Sequence, residues 1–261
     1  MSSEKSWKGL AVLFAVAMFA VCATPSSAQK TETKEKPAMY TYVANWAIPR
    51  AQWGEMEKSN AEDAKLLDKD VADGTLVGYG ADINLVHSEE AETHDDWWSS
   101  MSMAGLLKVL DQLTKSGGTT SPVLQSATKH WDGIYVSHYY NWRPGSVKGA
   151  YTRVQSYKLK ADAPHDAVEM LSQNLIVPVF EKLIADGTIV EYEVDEQAVH
   201  TRDPNSFSIV YIAAHAEGLD KAQAAISESL KASPLSGPAF GSMVDFTAHR
   251  DELARTDATY K

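Results

Sequence analysis

The chain contains the same unit twice, and that repeat limits the folds open to it more than any other feature. Val71-Ala-Asp-Gly-Thr-Leu-Val-Gly-Tyr79 returns 113 positions later as Ile184-Ala-Asp-Gly-Thr-Ile-Val-Glu-Tyr192. The register holds without a gap from 71–110 to 184–223, with 12 identities in 40. Among them are Asp82 with Asp195, His87 with His200 and Lys108 with Lys221. Upstream, Tyr40-Thr-Tyr-Val-Ala-Asn-Trp46 answers to Tyr151-Thr-Arg-Val-Gln-Ser-Tyr157 after a two-residue shift. A self-similarity this long means two copies of one supersecondary unit.

Each copy has the same order of elements. β-branched and aromatic residues predict a strand over 40–46, and the spacing of Trp53, Met56, Ala64, Leu67 and Val71 predicts a helix over 50–72. Asp73-Gly74 stops that helix. Strands over 75–87 and 96–102, a helix over 104–115 and a strand over 134–142 complete the first copy. The second reads as strand 151–158, helix 165–185, strands 188–200 and 206–214, helix 217–231 and strand 242–249. Pro178 predicts a kink in its first helix. The boundaries that follow are repeat 1 over 39–143, a linker over 144–149, repeat 2 over 150–250 and a C-terminal tail over 251–261.

The fold class is therefore α+β, with two tandem β-α-β-β-α-β units of the ferredoxin-like kind. Such a unit carries its helices on one face of a sheet, and two units can cover their bare faces by closing into a barrel. On these residues, across about 39–250, the chain resembles the dimeric α+β barrel superfamily, here as a pseudo-dimer made by one polypeptide. The resemblance implies a range of chemistries. They include cofactor-independent monooxygenases and isomerases, haem-degrading monooxygenases, and tandem haem enzymes of the chlorite dismutase and dye-decolourising peroxidase type. No catalytic motif of these groups is present to be carried over, and a fold does not fix a reaction.

The first 28 residues have the pattern of a secretory leader. Lys5 and Lys8 precede an uncharged apolar run over 9–23, and Ser26-Ser27-Ala28 offers a small-residue cleavage site. The run is shorter than the roughly 20 apolar residues of a membrane span. The expected product is an exported, periplasmic or extracellular protein with no stable membrane insertion after cleavage, beginning with a flexible charged segment over 29–38. Cys22, the single cysteine, would leave with the leader. Disulfides, thiol nucleophiles and thiolate metal sites are then excluded. A formal charge of −11 argues against nucleic acid as a partner. Self-association through an exposed sheet edge stays open.

Candidate chemistry rests on a few residues. If Val43 and Val154 pack against helices, alternation sends Tyr42, Ala44 and Trp46, with Arg153, Gln155 and Tyr157, into the barrel. Tyr42, Trp46, Arg153 and Tyr157 are thus the expected ligand-binding residues. Glu191 and Glu193 alternate with Tyr192 and Val194, where the first copy has Gly78 and Gly80, so the two inner faces differ. These glutamates and His138 are candidate bases. Arg153 either holds an oxyanion or pairs with Glu191 or Glu193 to close the barrel. His138 is either a base, an axial haem ligand or a hydrogen-bonded core residue.

His87 and His200 fit capped or solvated strand ends, and the repeated Asp-Gly-Thr junctions fit helix stops. The acidic run Glu89–Asp96 reads as a solvated turn, its spacing not being that of an EF-hand. No metal site is expected, and nucleotide, zincin and serine hydrolase motifs are missing. The favoured function is binding of a small apolar or aromatic molecule in the cavity between the repeats, with cofactor-independent monooxygenase or isomerase activity. The alternatives are a haem oxidoreductase and a non-catalytic binding or assembly protein.

Overall fold

The computed structural model describes residues 35–261 except 89–90, 202–203 and 233–235. The leader lies outside the described residues. The first repeat comprises β1 (Met39–Ala47), α1 (Trp53–Asp73), β2 (Gly78–Asn84), β3 (His94–Ser100), α2 (Met103–Ser116), a short α3 (Pro122–Gln125) and β4 (Lys129–Trp142). The second comprises β5 (Gly145–Leu159), α4 (Ala167–Leu171), α5 (Val177–Ala185), β6 (Glu191–Gln197), β7 (Ser206–Ala213), α6 (Ala216–Ala232), α7 (Ser236–Met243) and β8 (Val244–Tyr260).

The strands form one closed barrel in the order β1-β3-β2-β8-β5-β7-β6-β4, every neighbour antiparallel. Each half has the ferredoxin-like order, 4-1-3-2 and then 8-5-7-6. The halves join where β2 meets β8 and β4 meets β6. Closure leaves no edge strand among the described residues, so the expected sheet-edge contact finds no edge in the barrel.

Helices cover the outside. In repeat 1, Met56, Leu67, Val71, Leu106 and Val109 bury Tyr42, Ala44, Trp46 and Trp98 of the sheet. In repeat 2, Val168, Leu171, Phe180 and Leu183 do the same over Tyr157, Tyr192, Val194 and Phe207. The Asp-Gly-Thr junctions are helix stops: Gly74 and Gly187 are left-handed at φ 82° and 78°. Asp73 accepts from the Thr75 amide at 2.8 Å, and Asp186 from that of Thr188 at 2.9 Å.

Four expectations need correction. The 165–185 helix is not merely kinked: a π-helical turn over Ser172–Ile176 separates α4 from α5. Pro178 cannot donate to the carbonyl four residues back and its ring crowds that turn, which widens just before it. The 251–261 tail is the second half of β8, pairing with β2 from Gly78↔Tyr260 to Asn84↔Ala254. The 144–149 linker is largely the start of β5. Finally, the described end of the flexible segment is held: the Lys36 amide donates to the His138 carbonyl at 2.9 Å and the Tyr140 hydroxyl to that of Pro37 at 2.8 Å.

Candidate functional site

The barrel encloses a cavity of about 780 Å³. Inward residues include Thr41, Val43 and Asn45 on β1, Asp82 and Asn84 on β2, and Thr152, Val154 and Ser156 on β5. Aromatic wall comes from Trp97, Trp131, Tyr135 and Tyr260. Acid comes from both halves: Asp82, Glu92 and Asp95 in repeat 1, Glu191, Glu193 and Asp195 on β6, and Asp251 and Glu252 on β8. Among the described lining residues, Lys and Arg occur only as Lys158 and Arg250, neither of them buried.

The orientation expected for the first strands is reversed. Tyr42 lies under the helices with its ring stacked on Trp98 at 4.4 Å, and Trp46 stacks on His130 at 3.5 Å. Arg153 is on the outer face, paired with Asp251 at 2.8 Å, and does not reach Glu191 or Glu193. Tyr157 belongs to the helix-covered core, stacked on His249 at 4.4 Å, and touches only one margin of the cavity. Both faces of these strands are buried, so alternation alone does not say which is inside. The larger rings go where the helices offer more apolar contact, leaving Val43 and Val154 for the cavity. His138 is also outside the cavity, its Nδ1 3.0 Å from the Lys36 carbonyl and from Glu35.

Glu191 and Glu193 do face inward, as their alternation implies, and Asp195 continues their row. Two related contacts tie the acids to the opposite repeat. Thr41 of repeat 1 donates to Glu193 at 3.3 Å, and its counterpart Thr152 of repeat 2 donates to Asp82 at 3.3 Å. The repeats then diverge. A Cβ on Gly80 would come within 2.5 Å of the Trp97 ring, and one on Gly78 within 2.5 Å of Tyr260. At the matching places in repeat 2 stand Glu193, opposite Val210, and Glu191. Bulky rings fill one side of the chamber and carboxyls the other.

Burial dominates the acid chemistry. It pushes Asp82 up to about 7 against hydrogen bonds from Thr256, Thr152 and Trp97 that favour the anion. Glu193 rises to about 7 from burial, opposed by hydrogen bonds from Thr41 and Asp195. Asp195 rises well above the carboxylate range from burial and then the charge of Glu193, and Glu191 rises likewise from burial and both neighbours. Glu193 and Asp195 thus share protons as a pair. Asp195 is 5% exposed and its Oδ1 has no hydrogen-bond partner; Asp95, 8% exposed, also has an unpartnered Oδ1.

No family model matches the sequence, and no curated protein matches it. Solved structures do match in shape. A provisionally assigned monooxygenase from Lactobacillus acidophilus superposes with a TM-score of 0.63 at 12% identity, over 85% of this chain and 96% of its own. One from Fusobacterium nucleatum gives 0.59 at 6% identity, over 87% and 95%. An anthrone oxidase-like protein gives 0.50 at 8% identity, over 85% and 92%. The fold is that of the dimeric α+β barrels. Here one polypeptide supplies both halves.

The donor set does not suit haem. Of the imidazoles at the cavity, His87 is exposed in the loop after β2. His249 has Nδ1 at 3.0 Å from the Ser156 carbonyl and Nε2 at 3.5 Å from Asp251. Anionic propionates would also face the carboxyl-rich wall. Among the described residues no group of three or more His, Cys, Asp or Glu is arranged to hold a metal ion, and no helix is long and apolar enough to cross a membrane.

The residues missed from sequence are Asp82, Asp95, Asp195 and Glu252 with Thr41 and Thr152. One signal was present: Asp82 and Asp195 occupy the same place in the repeat and follow the parity of Glu191 and Glu193.

Proposed function

We propose that this protein binds a small organic molecule inside the barrel and moves a proton on it without a bound cofactor. The observation that carries the reading is the Glu193–Asp195 pair, buried at the cavity wall with one Asp195 oxygen unpartnered. A buried carboxyl pair of which one member, Glu193, is held near 7 and the other is pushed well above the usual carboxylate range is suited to general acid–base work. One member, as carboxylate, accepts a proton from a C–H or O–H acid of the ligand. The other, still protonated, returns a proton to a second atom, and the net result is an isomerisation. Aromatic surface on Trp97 and Tyr260 would hold a flat ligand, and Thr41 fixes Glu193. An oxygenase version begins with the same deprotonation and consumes O₂ as co-substrate. The likeness to monooxygenase structures bears on fold alone.

Blocking the chamber tests this reading. Native mass spectrometry on protein purified without added cofactor should give an organic adduct, or one should form with a member of an aromatic ligand panel. Val154→Trp should abolish the adduct while the circular dichroism spectrum stays that of the parent. No adduct with any panel member, or one indifferent to Val154→Trp, would contradict it.

We also place the protein outside the cytoplasm, on the leader pattern of residues 1–28. The intact mass of protein from its native host should begin at Gln29; a mass retaining the leader contradicts export.

A further inference from the structure

The lining chemistry narrows the ligand class beyond that reading, on which this inference rests. We propose that the cavity takes an organic cation, a molecule with an ammonium or guanidinium group on a flat aromatic body. Three independent features lead there.

The first is charge. Eight carboxyl side chains from both repeats line one chamber, Asp251 among them at its margin, whereas Lys158 and Arg250 are its only lysine and arginine among the described residues, neither of them buried. Arg153, the cation expected inside, is committed to Asp251 on the outer face. Asp82, Glu193 and Glu252, held near 7, are mostly ionised at pH 7.5, so an anionic ligand would be desolvated against like charge, at a cost that no buried lysine or arginine among the described lining residues offsets.

The second is hydrogen bonding. The Oδ1 atoms of Asp95 and Asp195 are buried acceptors without donors. Their residues are 8% and 5% exposed, and both line the cavity. A buried acceptor left unmatched is costly, so a ligand that enters must bring N–H groups to these oxygens. An ammonium brings three and a guanidinium five, both charge-assisted. An apolar or aprotic ligand would leave the oxygens as they are.

The third is the aromatic wall. Trp97 and Tyr260, their rings close over Gly80 and Gly78, offer π surface within the same chamber as the acids. Ring faces beside carboxylates attract organic cations through both the quadrupole and the charge. A bare metal ion would gain nothing from the rings, and no metal-holding group of acids occurs among the described residues.

Three indoles of nearly equal shape decide the matter: tryptamine with an ammonium, tryptophol with a hydroxyl, and indole-3-acetate with a carboxylate. Each is titrated calorimetrically into the purified protein at pH 7.5. Tryptamine should bind at one site, tryptophol at least about tenfold more weakly, and indole-3-acetate not measurably. Glu193→Gln, a near-isosteric neutral replacement of a carboxyl mostly ionised at pH 7.5, should lose about tenfold or more in tryptamine affinity. Asp195→Asn, which alters the unmatched acceptor itself, provides a second variant should that protein fold poorly, and Arg153→Ala should bind as the parent does. Equal binding of all three indoles, or tightest binding of indole-3-acetate, overturns the cation assignment and leaves the cavity reading standing. Binding by none of them at millimolar concentration sinks both.

Discussion

The ring of Trp97 occupies the space that a side chain on Gly80 would need, with Cζ2 2.5 Å from the position of an added Cβ. The two residues are cross-strand partners, and repeat 2 has the pair Glu193 and Val210 in their place. One repeat pairs a bare glycine with a large ring and the other a carboxyl with a valine, which gives the barrel one aromatic and one acidic wall.

Gly80→Ala should therefore destabilise the protein by about 1–3 kcal/mol through overpacking. Adding Trp97→Val should recover much of that loss. A double-mutant cycle by urea denaturation measures the coupling, and additive effects would mean that the ring moves aside freely.

The interior acids make stability depend on pH in an unusual direction. Asp82, Glu193 and Glu252 are each held near 7 chiefly by burial, so between about pH 4 and 7 the folded chain keeps protons that the unfolded chain releases. Stability from these groups is present at low pH and lost as pH rises through 7. At about 1.4 kcal/mol per pH unit, Asp82 alone accounts for roughly 4 kcal/mol between pH 4 and 8. His94 works the other way: burial, with His87 nearby, lowers it to about 4, and its contribution disappears as pH falls from 6.5 to 4. Three such acids outweigh one histidine, so the melting temperature should be highest near pH 4 and fall steadily to pH 8. Asp82→Asn should raise it at pH 8 and flatten the alkaline limb; an unchanged limb would refute the assignment.

Arg153→Ala should cost no more than about 1 kcal/mol, the usual worth of a partly exposed ion pair. Melting curves check this. A loss of several kcal/mol would place the guanidinium in a structural role that its pairing with Asp251 does not describe.

Truncation after Arg250 should unfold the protein rather than trim a tail. Residues 251–260 carry the whole β2–β8 seam, together with Glu252 and Tyr260 of the chamber. Cooperative thermal unfolding of the truncated chain at the parent temperature would contradict this.

Architecture was legible in the sequence because the repeat exposes it. The Asp-Gly-Thr helix stops, matched strands and matched helices specify a doubled ferredoxin-like unit before any contact is known. Facing was not legible for β1 and β5, since Tyr42 and Val43 are both apolar and both faces of the strand are covered. β6 was legible because Glu191, Glu193 and Asp195 stand apart from Tyr192 and Val194. β8 beyond Arg250 was missed although Ala254, Thr256, Ala258 and Tyr260 form one row, because alternation between small or polar residues carries little hydrophobic contrast. The meeting of Asp95 with Glu252 depends on the β2–β8 seam, a long-range pairing with no local signal.

The barrel interior holds a row of acids that burial keeps protonated well above the usual carboxylate range. A ¹³C NMR titration of the Asp and Glu side-chain carboxyls between pH 3 and 9 tests it most directly. Asp82 and Glu193 should titrate near 7 and Asp195 well above the usual carboxylate range, with the Glu193 titration moving in Asp195→Asn. If every carboxyl lost its proton below about pH 5, within the range of solvated carboxylates, the chamber would be open to water and the proposed site would not exist.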